Sequence, residues 1–116
     1  MEKKNEKSIK ISLSVKDVAN LVGETCSECY GVVGLTNAKT IKEKLIILKK
    51  ENYVEGVNVT KEKDKFNVDV HLICAYGVKI TEIVNEVSKR ISYVLTKKYG
   101  QLFSKINVYV EELRDL

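Results

Sequence analysis

The sequence predicts a two-layer α+β domain, with a small, mostly antiparallel sheet and long helices packed on one of its faces. Three observations lead there. Residues 80 to 98 carry an apolar stripe at helical spacing. Four further segments alternate apolar with polar residues. The 116-residue chain has no proline and no Gly- or Ser-rich linker, so it reads as one domain able to bury roughly two-thirds of its unfolded surface. The expected order is β-α-α-β-β-α-β, with residues 1–7 as a charged N-terminal tail and residues 8–116 as a single domain.

Taken in order, "SIKISLS" places Ile9, Ile11 and Leu13 on one side of a short strand. Ser14 then caps a helix, with Asp17 where a capping box wants an acid. Val15, Val18, Ala19, Val22, Cys26 and Cys29 follow at helical spacing, and Gly31 is expected to end the helix. "NAKTIKEKLIILKKENY" repeats Ile41, Leu45 and Leu48 at i, i+4 and i+7, which predicts a second helix whose basic part covers residues 37–50; "LIIL" is also compatible with a buried strand. Val57 and Val59, then Phe66, Val68, Val70, Leu72, Cys74 and Tyr76, alternate on either side of the charged loop "KEKDK" and predict an antiparallel hairpin. In the long helix, Thr81 is the expected N-cap, Lys97 and Lys98 suit the negative end of the dipole, and Gly100 suits the position after the last turn. Ile106, Val108 and Val110 mark the last strand.

Composition narrows the function classes. Hydrophobic residues at 44% and charged residues at 31% belong to a chain that folds alone, and the charged start has no apolar signal region. No run approaches the roughly 20 apolar residues that span a bilayer, so a cytoplasmic protein is expected. A net charge of +4 permits contact with RNA or an anionic surface without demanding either.

The most chemical stretch is "ETCSECYG", whose Cys26 and Cys29, together with His71 and Cys74 in "HLIC", raise a zinc or thiol reading. Strand parity sends His71 and Cys74 to opposite faces, which denies one ion four convergent ligands. A thioredoxin-type pair sits at a helix N-terminus, whereas this one falls at the C-terminal end, where the thiol pKa rises. The three sulfurs therefore read as apolar packing, and no metal or other cofactor is expected. Asp69 and His71 share a strand face, but nothing beside them completes an acid–base site, and no phosphate-binding or zinc-protease motif occurs. An enzyme is not expected.

"GVVG", residues 31–34, admits two readings. Placed between two helices, it resembles the Gly-x-x-Gly loop of a KH RNA-binding module, with the basic helix 37–50 beside it. Val32 and Val33 offer apolar bulk to a phosphate, however, which favours a tight turn whose valines enter the core. Lys39, Lys42, Lys44, Lys49 and Lys50 make a candidate surface for an acidic partner or a membrane, although solvated lysines over a buried helix face are the commoner explanation.

"IKISLSVKDVANLVGETCSECYGVVGL", "GVNV", "FNVDVHLICAYGVKITEIVNEVSKRI" and "INVYVEEL" together resemble the alkaline-shock protein family, envelope stress response proteins of Gram-positive bacteria. The resemblance implies a non-enzymatic cytoplasmic scaffold, peripheral at the inner face of the cell membrane. It also implies self-association into a homo-oligomer and recruitment by membrane-anchored envelope proteins, with nucleic acid disfavoured as a partner. Gly31, Gly34, Tyr76 and Gly77 match the family pattern and read as structural, the glycines as turn formers and Tyr76 as the last inward residue of its strand. The Cys26 and Cys29 pair departs from that pattern. A sheet face bearing Asn58, Thr60, Asn67, Asp69, His71, Asn107 and Tyr109 offers a surface for assembly.

Overall fold

The Ser14 hydroxyl accepts the Asp17 amide at 3.2 Å and starts helix α1, Val15–Ser27, as its sequence dictates. The computed structural model describes residues 13–41 and 44–115. The strand expected over Ile9, Ile11 and Leu13 falls almost wholly outside them, and Leu13 itself rests half-buried against the core. Helix α1 stops four residues before Gly31, with Glu28 as its C-cap, and Gly31 lies instead in the turn that follows.

Strand β1, Val32–Leu35, comes next. In place of the second helix expected over residues 37–50, the chain forms two short strands, β2, Thr40–Ile41, and β3, Lys44–Leu45, and then a 3-10 helix, Lys50–Gly56. The correction has a physical cause. Ile46 N–H closes the β2–β3 pair on Lys39 at 2.9 Å, and Leu48 N–H donates to Leu35 of β1 at 2.8 Å, so the segment folds as a small hairpin tied to the sheet rather than as a helix. The KH-like element order goes with it.

Strands β4, Val57–Glu62, and β5, Lys65–Ala75, form the predicted antiparallel hairpin. Helix α2, Ile80–Tyr99, buries Ile83, Val87, Ile91 and Leu95, which repeat every four residues. Its N-cap is Lys79 rather than the expected Thr81, and Gly100 ends it, donating its N–H to Thr96 at 2.8 Å. Strand β6, Phe103–Arg114, completes the fold and runs parallel to β5.

The α+β class stands, and the sheet is mixed. β5 is its centre: β6 lies along one side, while β4 and β1 share the other, β4 opposite Lys65 to Val70 and β1 opposite Leu72 to Cys74. Val68, Val70, Leu72 and Cys74 alternate onto the helix-covered face and meet Val18, Val22 and Cys26 of α1 and the buried stripe of α2 in one core. Gly23 sits inside α1, where the ring of Tyr53 crosses it so closely that an added Cβ would stand 2.2 Å from Tyr53 Cδ2.

Two bulges shape β6. Ser104 and Glu111 are the extra residues, because Phe103 pairs with Phe66 and Lys105 with Asn67, then Val110 with Leu72 and Glu112 with Ile73. The second bulge turns Glu112 toward the open face. There its carboxylate accepts the Leu45 N–H at 3.4 Å, while Arg114 donates to the Leu45 carbonyl at 2.8 Å, and this pair clasps the β3 segment over buried Ile73.

Candidate functional site

Cysteine chemistry is the first candidate. Cys26, Cys29 and Cys74 are buried free thiols. Burial, then the neighbouring Cys29 and Cys74, pushes the Cys26 thiol up to about 12. Burial also raises Cys29, outweighing the lowering effect of Arg90, and Cys29 Sγ contacts the Thr25 carbonyl at 3.4 Å. Burial alone raises Cys74. A thiol held protonated in an apolar core is a poor nucleophile and a poor metal ligand. Cys74 enters the core and His71 faces away from it, as parity predicts. Among the described residues no group of three or more His, Cys, Asp or Glu side chains converges as a metal site.

"GVVG" is not a loop between helices. Val32, Gly34 and Leu35 pair with Cys74, Ile73 and Leu72 of β5, Val33 is the extra residue where the register shifts, and Val32 packs onto the core. Gly31 has φ +87°, and a Cβ there would lie 2.6 Å from Ile83 Cδ1; Gly34 lies under Ile47 Cγ2. Gly77 has φ +93° in the turn before α2. Tyr76, expected to point inward, is 69% exposed: β5 ends at Ala75, and the chain turns away before parity can bring the ring into the core. The lysines do not share one helix face. Lys39 and Lys44 are exposed on or beside the β2–β3 pair, and Lys49 and Lys50 lead into the 3-10 helix, with Lys50 Nζ 2.9 Å from Glu24. Lys42 lies outside the described residues.

Between α1 and α2 runs an open groove of about 460 Å³, lined by Glu28, Glu86, Lys89, Arg90 and Tyr93 among others. Its charges balance, Arg90 and Glu86 pair at 3.0 Å, and its buried hydroxyl, Thr25 Oγ1, already donates to Leu21. Nothing in it selects a small ligand.

The uncovered face of the sheet is organised differently. Asn107 donates to Asp69 at 2.8 Å, and Asn67 to Glu62 at 3.0 Å. The His71 ring stacks on Tyr109, centroids 5.1 Å apart, with Nδ1 2.6 Å from Glu111 Oε2. Asp69 and His71 therefore take different partners and form no dyad. Tyr109 remains 45% exposed at the middle of this face. The sequence reading did not pair His71 with Glu111; continuing the odd-numbered series Asn107, Tyr109, Glu111 along β6 gives the signal that would have found it. Beyond β6, no strand among the described residues pairs with its outer edge, although β6 is the longest strand of the sheet.

The described residues thus present a polar sheet face and an outer edge of β6 that none of them pairs with, on a fold whose three thiols lie in its core. The family model that matches residues 1–114 is that of the ASP23 family, described as having a cell envelope-related function. The chain belongs to this family. It is 35% identical over 111 residues to the uncharacterized protein Spy1614 of Streptococcus pyogenes serotype M6, covering 95% of this chain and 92% of that one. It is 33% identical over 105 residues to the uncharacterized protein YloU of Bacillus subtilis strain 168, covering 90% and 88%. A solved MamM CTD in a manganese form shares the fold, with a TM-score of 0.50 and 10% identity over 85% of this chain and 99% of that one. Among the described residues, no helix is long and apolar enough to cross a membrane.

Proposed function

We propose that this chain is a non-enzymatic envelope stress or homeostasis scaffold that self-associates and docks to membrane-anchored partner proteins from the cytoplasmic side. The observation that carries this reading is the open side of the sheet, where hydrogen-bonded polar side chains surround the exposed Tyr109, beside a long strand edge. Membership of a family with a cell envelope-related function supports it. An exposed tyrosine amid hydrogen-bonded polar side chains, with Asn67 Oδ1 left buried and without a partner among the described residues, suits protein contact, since the ring supplies area and its hydroxyl tolerates a wet rim. On this reading Gly31, Gly34 and Gly77 shape the scaffold, and the lysines around β3 form a basic margin to the docking surface.

Fractionation of the producing cells tests the reading. The protein is expected in the membrane fraction and to leave it, without detergent, once the membrane-anchored partner is deleted. Uniform recovery in the soluble fraction of wild-type cells, with or without envelope stress, would rule it out.

A further inference from the structure

The outer edge of β6 is a surface whose occupant can be read from its own side chains. Natural edges are kept short or interrupted, because a long strand of high β-propensity invites another strand to pair with it. β6 carries two bulges, yet it runs for twelve residues of "FSKINVYVEELR", rich in Val, Ile, Tyr and Phe, with an unbroken stretch from Lys105 to Val110 and its outer side open among the described residues. In a parallel pair with β5, alternate residues of β6 turn their N–H and C=O groups outward, so the edge carries a row of unmet donors and acceptors.

We propose that this edge pairs antiparallel with the same edge of a second copy of the chain, about a two-fold axis at Val108; the proposal names the self-association surface of the scaffold described above and rests on that reading. Val108 then meets its own counterpart, Ile106 meets Val110, and Phe103 meets Leu113, all on the helix-covered face. Leu113, 37% exposed in the single chain, is covered. On the open face Lys105, whose exposed Nζ lies 3.9 Å from Glu62 of its own chain, comes opposite Glu111, whose Oε2 is held by His71 and whose second oxygen can take the lysine, and Asn107 comes opposite Tyr109. Each side-chain type meets a complementary one, and the ion pair occurs twice by symmetry.

Other registers fail on the same residues. A slip of one position sets core-facing side chains opposite open-face ones. A slip of two also fails, because the bulges at Ser104 and Glu111 invert the parity at both ends of the strand. Phe103 would then face Glu111 in one direction, or Lys105 would face Leu113 in the other. The two bulges, placed nearly symmetrically about Val108, match only in the central register. The continuous sheet this creates has one open face, along which both copies present His71, Tyr109 and Asp69.

The test is a charge exchange followed by sedimentation equilibrium on the full chain, with circular dichroism to verify folding. Wild type is expected to be dimeric. K105E and E111K should each raise the dissociation constant about tenfold, as roughly expected when two symmetric cross-strand pairs turn from attractive to repulsive. The double variant K105E/E111K should restore wild-type association, an outcome that general loss of stability cannot produce. A dimer indifferent to all three variants would overturn the β6 pairing while leaving self-association intact. A wild-type chain that stays monomeric at high concentration would overturn both. A monomer whose β6 amides are protected from exchange, and lose that protection in an I9D/I11D variant, would assign the edge to residues 8–13 of the same chain.

Discussion

Replacing Gly23 by alanine sets two physical effects against each other, and the structure fixes the sign. In a helix interior Ala is favoured over Gly by about 1 kcal/mol, so propensity alone predicts a more stable protein. Here the new Cβ would lie 2.2, 2.5 and 2.7 Å from Cδ2, Cγ and Cε2 of Tyr53. The clash involves the base of the ring as well as its rim, so a small rotation cannot relieve it, and the 3-10 helix that carries Tyr53 must move off α1. Overpacking of this kind costs about 1 to 3 kcal/mol. The displaced ring also gives up its 2.9 Å hydrogen bond to Ser27 Oγ, worth about 1 kcal/mol. Setting about 1 kcal/mol of gain against about 2 to 4 of loss leaves a net destabilisation of about 1 to 3 kcal/mol. Urea unfolding followed by circular dichroism measures it directly, and the cycle with Tyr53→Ala isolates the cause, because G23A should become neutral or stabilising once the ring is gone. If G23A stabilised the protein in the presence of Tyr53, the close approach of the 3-10 helix to α1 would be wrong.

Three further outcomes follow from the same geometry. Gly31→Ala and Gly77→Ala both suffer the penalty of a positive φ, roughly 1 to 2 kcal/mol, but only Gly31→Ala also meets Ile83 at 2.6 Å, so thermal melts should place Gly31→Ala below Gly77→Ala. Val32→Asp puts a charge on a strand residue packed against the core and should lower stability by several kcal/mol in urea titrations. Burial raises Cys26 from its ordinary 9.0 to about 12, so the folded state holds its thiol proton where the unfolded chain has released it. Its contribution is thus fully present below pH 9 and is lost between pH 9 and about 12, by about 1.4 kcal/mol per pH unit. Unfolding titrations of Cys26→Ala across that window should show a shallower alkaline loss than wild type, and a thiol reagent at neutral pH should label Cys26 only after denaturation.

Much of the architecture was legible because its signals are periodic and local. The stripe from Ile83 to Leu95 and the alternation from Val68 to Cys74 each repeat often enough to outweigh any competing reading, and Ser14 caps α1 through a bond three residues long. Residues 37–50 failed that test. Ile41, Leu45 and Leu48 fit a helical period, and the outcome was decided by Glu112 and Arg114, 67 and 69 residues downstream of Leu45, which no local pattern encodes. Loss of that helix removed the surroundings in which "GVVG" would serve as a nucleic-acid loop. Tyr76 failed for the opposite reason, since its alternation is real but its strand ends one residue too early. The polar face was readable from parity, whereas its pairings, His71 with Glu111 and Asn107 with Asp69, depend on the register between β5 and β6 and on a bulge that leaves no mark in the sequence.

The measurement that bears most directly on the central claim is affinity purification of the tagged protein from crosslinked cells, with half of the sample treated with nuclease. A contact scaffold of the envelope should bring down the same membrane-anchored proteins, together with untagged copies of itself, in both halves. Recovery of mainly RNA, with the co-purifying proteins lost on digestion, would contradict the account and return the chain to the nucleic-acid binders.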